Sequence, residues 1–186
     1  MKNKILITII LIFTITFLFS CKKEDLDESK PLNLITDFIL YDTLEEVENK
    51  KCKVVLLYGQ SNASGYTRSN YLNQNDPSLY DLYMDGFNNV YINCVVENYL
   101  NASSGFQICT SGYGANKYLF GPECGISEIL SSEYEDEDVF IIKYSYGGTN
   151  LERQWLNGYF ERGGLYNASI KFTKVSLDYL KEKGYI

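Results

Sequence analysis

Lys53-Val54-Val55-Leu56-Leu57-Tyr58-Gly59-Gln60-Ser61-Asn62 decides how the rest of the chain is read. A short apolar run, partly β-branched and closed by glycine, has the character of a buried strand in a parallel sheet. Glycine permits a sharp turn, and the serine two residues later then reaches the carboxyl edge of the strand, where open α/β folds place their ligands. Val90–Val96 and Val139-Phe140-Ile141-Ile142, the latter extending into Lys143-Tyr144, repeat the strand pattern. Between them Pro122 fits a first helical turn and Glu123 suits the positive end of the helix dipole. Ile126, Ile129 and Leu130 then recur at helical spacing. The acidic run from Glu133 to Asp138 is expected to end that helix as a solvated connection, with calcium binding as the alternative. Residues 51–186 therefore read as an α/β domain, a three-layer sandwich around a mainly parallel sheet.

At the other end of this domain, Tyr166, Ile170, Leu177 and Leu180 share one face of an expected helix. Lys181 and Lys183 suit its last turn and Gly184 its stop. Tyr185-Ile186 reads as the opening of a further strand, so the expectation is a domain truncated at its C-terminus. A naturally short version is the alternative.

The first residues read as a targeting segment. Lys2 and Lys4 precede a nearly unbroken apolar stretch from Ile5 to Ser20, too short for a typical membrane span and suited to a secretory leader. Ser20-Cys21 resembles the lipobox of bacterial lipoproteins, which makes Cys21 the expected lipidation site and residues 1–20 the signal peptide. An uncleaved N-terminal anchor is the alternative. Residues 21–50 are read as the lipidated cysteine and a flexible tether, because Lys22–Pro31 is charged and carries one large apolar side chain, Leu26. Acidic residues just behind the lipid cysteine also resemble the surface-export signal of Bacteroidota lipoproteins, so the expected location is the outer membrane.

The whole chain has a formal net charge of −7; without residues 1–20, 15 basic residues face 24 acidic ones, a net charge of −9. Such a balance argues against nucleic acid or anionic lipid as a partner. Cys52, Cys94, Cys109 and Cys124 remain beside Cys21 and allow disulfides in an oxidising compartment, Cys94 with Cys109 being the first pair to consider; four small buried thiols are the alternative. Neither CxxC nor histidine-rich spacing is present, so no metal or cofactor is expected.

Ser61 has the placement of a nucleophile, but a serine hydroxyl needs an adjacent base, and the chain contains no histidine. The segment is not a GxSxG elbow, since Ala63 stands two residues after the serine. A Ser-Asn pair after a strand also serves as a turn or a helix cap. Two further blocks bear on the choice. Phe120-Gly121-Pro122-Glu123 opens the expected helix, where free backbone amides collect, and Lys143-Tyr144-Ser145-Tyr146-Gly147-Gly148-Thr149-Asn150 follows the third strand.

Gly59-Gln60-Ser61-Asn62, Phe120-Gly121-Pro122-Glu123 and Lys143-Tyr144 with Gly147-Gly148-Thr149, in this order, resemble the sialate O-acetylesterase and acetylxylan esterase group of the SGNH hydrolases. The resemblance covers residues 53–186 and implies an SGNH or flavodoxin-like fold. It implies that Ser61 is the nucleophile, that the amides of Ser61 and Gly121 and the Thr149 position donate to an oxyanion, and that Gln60, Asn62 and Gly148 contact substrate. The implied partner is an acetylated carbohydrate. The group's later W-x-Q-G-E and D-x-x-H segments have no counterpart in the chain, so the 186 residues alone are expected to be a poor esterase. Lys143, Asp85 and Glu123 are the candidates for a substitute base.

Trp155, with Tyr146, Tyr159, Tyr166 and Arg153, has the character of an aromatic wall for a sugar face, though Trp155 and Leu151 packing beneath the Gly147-Gly148 loop as core is the favoured reading. Three functions follow. An exported carbohydrate O-acetylesterase leads, a non-catalytic lipid-anchored glycan-binding protein is the alternative, and an acidic structural lipoprotein is the third.

Overall fold

A computed structural model of the chain describes residues 34–156 and 164–186. The expected leader, Cys21 and the first part of the tether, together with Tyr159, lie outside the described residues. In chain order the elements are β1 (Cys52–Gly59), α1 (Ser61–Ser64), β2 (Thr67–Arg68), α2 (Ser69–Asn75), α3 (Pro77–Asp85), β3 (Val90–Val96), β4 (Asn101–Ala102), β5 (Gln107–Ile108), β6 (Leu119–Phe120), α4 (Pro122–Glu133), β7 (Asp138–Ser145) and α5 (Gly164–Glu182).

The three expected strands form the parallel centre of a mixed sheet ordered β1-β7-β3-β4, with β4 and the short β5 antiparallel to β3. Every position of β7 is buried, as a run apolar on both faces requires. Phe140, Ile142 and Tyr144 pack on one face with Leu165, Ala168, Phe172 and Leu180 of α5. Val139 and Ile141 pack on the other, with Val90 and Ile92 of β3 and Ile126 and Leu130 of α4. The helices thus cover opposite faces, which is the three-layer arrangement.

The strand order differs from a flavodoxin-like sheet, in which the first parallel strand lies between the second and third. Here the third, β7, lies between β1 and β3. The physical reason is visible in burial. β7 is covered on both faces, whereas Val54 and Leu56 of β1 remain 38% and 51% exposed.

Tyr185-Ile186 does open a parallel pairing, and it lies beside the start of β1. Tyr185 bridges Lys50, Ile186 N–H donates to the Lys50 carbonyl at 3.0 Å, and Cys52 N–H donates to the Ile186 carbonyl at 3.3 Å. The Tyr185 ring stands edge-on to Phe140 at 4.7 Å, and its hydroxyl donates to Asp138 Oδ2 at 2.9 Å. Asp138 therefore does not belong to a solvated connection. It is the first residue of β7, it is buried, and Lys50 pairs with it at 2.7 Å.

Residues 34–50, read from sequence as tether, lie against the domain. Leu34, Phe38, Leu44 and Val47 pack on the α5-side core, Phe38 reaching Phe172 at a ring separation of 5.1 Å. Thr43 and Leu44 N–H both donate to the Tyr179 hydroxyl, at 2.9 and 3.0 Å, and Val47 N–H to the Lys183 carbonyl at 2.8 Å. These spaced apolar residues bury enough surface to order a stretch whose net charge suggests a linker.

Cys52, Cys94, Cys109 and Cys124 are free thiols, the last three buried. Cys109 N–H donates to the Val90 carbonyl, so Cys109 stands opposite Val90, four residues along the strand from Cys94. That spacing is roughly 13 Å at 3.3 Å per residue, beyond the reach of a disulfide.

Phe140 is fully buried and touches the rings of Tyr91, Phe106 and Tyr185. Phe140→Ala should cost about 3–5 kcal/mol in a urea titration, while Leu56→Ala on the open edge should cost less than about 1 kcal/mol. Burial pushes the Cys94 thiol up to about 11 and the Cys109 thiol up to about 12, from 9.0. Thiols raised in the folded state contribute stability that is complete below pH 9 and is lost as the pH rises toward these folded values. The unfolding free energy should therefore fall between about pH 9 and 11, by up to ~1.4 kcal/mol per pH unit for each thiol, and Cys94→Ala should reduce that slope.

Candidate functional site

The register of the sheet brings the chemistry-bearing segments to one edge. Gly59 of β1 and Val96 of β3 both lie opposite Ser145 of β7, and Tyr146 N–H donates to the Gly59 carbonyl at 3.0 Å. The chain therefore leaves all three parallel strands at the same carboxyl edge. Gly59 has φ +154°, and a Cβ there would meet that of Ala63 at 3.0 Å, so the turn into α1 requires glycine. Gln60 is the residue before α1 and Ser61 its first residue, which leaves the amides of the first turn without helical acceptors. Ser61 is half-buried, Gln60 and Asn62 are exposed, and no side-chain hydrogen bond holds the Ser61 hydroxyl among the described residues.

The Gly121 block meets α1 through backbone. A Cβ on Gly121 would lie 2.8 Å from Gly65 Cα, an approach open only to two glycines. Gly121 N–H donates to Glu123 Oε1 at 2.8 Å. Its amide is thus engaged within the chain rather than free toward a bound oxyanion. Glu123 Oε2 pairs with Lys143 Nζ at 2.7 Å, and both side chains are wholly buried. Lys143 also donates to the Ser64 carbonyl at 3.0 Å and the Tyr113 carbonyl at 2.7 Å. Three acceptors account for its three protons, so this lysine is a structural cation and has no lone pair for a base.

The third block is held by its own contacts. Gly147 N–H donates to Glu97 Oε1 and Oε2 at 2.8 and 3.0 Å, Gly148 is exposed at φ +69°, and Thr149 is buried. The Thr149 hydroxyl donates to the Tyr146 carbonyl at 2.7 Å and accepts from Trp155 Nε1 at 3.0 Å. Trp155 is half-buried, edge-on to Tyr144 at 6.3 Å, and lines a cavity of about 260 Å³ with Tyr58, Gly59, Gln60, Thr149 and Leu151. It joins core and cavity at once. Leu151, expected as core, is 79% exposed on the cavity rim.

Glu97 is the residue that sequence reasoning missed. It follows β3 as Ser61 follows β1, and an acid directly after an apolar run was the signal to find it. Besides Gly147, its carboxylate accepts from the Tyr66 hydroxyl at 3.2 Å, and burial together with that carboxylate pushes the Tyr66 phenol above its usual range. Glu97, Asn98 and Tyr99 all have positive φ, 51°, 53° and 71°. Such a run of non-glycine residues is strained, and strain of this kind concentrates at functional edges. Neither candidate acid is placed to act as a base. Both Glu123 oxygens are engaged, and Asp85 ends α3 a short turn before β3 begins, at the opposite edge of the sheet.

Lys143→Met leaves the Glu123 carboxylate buried without its cation and should destabilise the protein by about 3–5 kcal/mol. Lys143→Met combined with Glu123→Gln should recover part of that loss. A double-mutant cycle by chemical denaturation measures the coupling, and strict additivity would show that the pair does not act as a unit.

No protein-family model matches the chain, and no curated protein and no solved structure matches it either.

Proposed function

We propose that the chain carries the nucleophile portion of an exported carbohydrate O-acetylesterase of SGNH type, anchored to the outer membrane through a lipid on Cys21. The observation that supports this reading is the meeting of its three sequence blocks. Ser61, Gly121 and Gly147–Thr149 stand at one carboxyl edge, tied to each other through Lys143 and through Glu97. In this reading Ser61 attacks the acetyl carbonyl, the alcohol of the sugar leaves with a proton, and water hydrolyses the acetyl-serine. First-turn amides of α1 stabilise the oxyanion, and the cavity beside Gly59 and Trp155 receives the acyl or sugar group. Gly121 contributes by fixing the turn, because its own amide is directed to Glu123. The base is not within these residues, which contain no histidine, so the reading requires it from elsewhere in the mature protein.

One observation favours a second reading. A site with its amide and hydroxyl donors engaged internally and with no base is also what a glycan-binding protein retaining the fold would show.

Acetate release from acetylxylan and from O-acetylated sialic acid separates the two. The 186 residues alone should run at background. A product that includes whatever the same reading frame encodes beyond codon 186 should be active, and Ser61→Ala should lower its rate at least about 10³-fold. Hydrolysis that survives Ser61→Ala overturns the nucleophile assignment. In that longer product, binding of acetylxylan without hydrolysis, unchanged by Ser61→Ala and by Arg68→Ala, establishes the binding protein instead.

A further inference from the structure

A cavity of about 700 Å³ lies between the β2–β6 ribbon, α3 and the loop around residues 111–119. Tyr66, Tyr80 and Tyr118 line it, together with Arg68, Lys117 and Asn116. Its frame is held by backbone and short polar contacts. Ser69 N–H donates to the Tyr118 carbonyl at 3.1 Å, the Ser69 and Ser111 hydroxyls bond at 2.5 Å, and Tyr118 N–H donates to Asn116 Oδ1 at 2.9 Å. Tyr66 and Tyr118 are nonetheless 55% and 68% exposed. Amphipathic rings presented on a fixed frame suit the faces of sugars and lose little entropy when a ligand arrives.

The charge of this cavity runs against that of the chain. The protein carries a net charge of −7, yet among the described residues the lining holds two cations and no acid. Neither Arg68 nor Lys117 pairs with a carboxylate among the described residues, and Lys117 Nζ instead sits 5.1 Å over the Tyr118 ring. A guanidinium with no carboxylate partner among the described residues, lining the same cavity as three tyrosines, offers the planar fork that a carboxylate accepts.

We propose that this groove binds an acidic oligosaccharide, with pyranose rings against the tyrosines and a uronate carboxylate at Arg68 and Lys117. The inference goes beyond the esterase reading and stands without it, because binding here needs no role for Ser61.

Calorimetric titration with trigalacturonate and with the neutral xylotriose tests it, on the protein as it stands. Trigalacturonate should bind with a Kd below about 1 mM and at least about tenfold more tightly than xylotriose. Arg68→Ala and Tyr118→Ala, both at exposed positions, should each weaken it about tenfold with the circular dichroism spectrum unchanged. Ser61→Ala should leave the affinity unaltered, so failure of the nucleophile assignment and failure of this one remain distinguishable. The proposal is overturned by absence of saturable binding, by equal affinity for the two sugars, or by affinity that withstands both groove substitutions. Binding lost in Trp155→Ala and kept in Arg68→Ala would place the sugar beside Gly59 and overturn it equally.

Discussion

The buried ion pair between Lys143 and Glu123 is the constraint around which the rest is arranged. Two charges removed from water are costly, and a pair of this kind is a weak source of net stability. What it imposes is geometry. The ammonium has three protons and finds three acceptors, the Ser64 and Tyr113 carbonyls and Glu123, while the second Glu123 oxygen accepts from Gly121. Displacing any one of these segments leaves a buried charge incompletely satisfied, at a cost far larger than a loop contact. The end of the serine-bearing helix, the loop at residue 113 and the Gly121 turn therefore hold one relative position.

The carboxyl edge of the sheet is built outward from that lock. The Gly65–Gly121 backbone contact closes one side, and Glu97 closes the other by accepting both from Gly147 and from Tyr66. Tyr66 belongs to two places at once. Its hydroxyl is tied to the turn after β3, and the residue lines the tyrosine groove. Edge and groove thus share one residue.

Much of the fold was legible in the residues. Contiguous apolar runs at Val54–Tyr58, Val90–Val96 and Val139–Ile142 became the parallel strands, and Pro122 with its helical spacing became α4. The failures share a cause. Asp138 reads like its acidic neighbours, residues 34–50 like the charged stretch before them, and Leu151 like Trp155, because composition along a chain averages over residues whose environments differ. Tyr185 and Lys50 supply the partners of Asp138, and α5 supplies those of Phe38, from more than a hundred positions away in the Phe38 case. Strand order was equally hidden. Nothing local in β1 or β7 states which of two apolar strands is covered twice; coverage depends on where the helices land.

By itself the sequence determined the class of fold, the three strands, the turn that carries Ser61 and the absence of histidine from these residues. These are local properties, set by apolar periodicity, glycine conformation and residue identity. Only the tertiary structure decided that Lys143 is a structural cation rather than a base, that the Gly121 amide is engaged, and that Glu97 faces Gly147. It also decided that Arg68 and Lys117 line one groove, with no acid beside them among the described residues, on an acidic protein. The reason is physical. Whether a polar group is free or occupied depends on the distance and direction of its partners, and those are fixed only when the strands are in register.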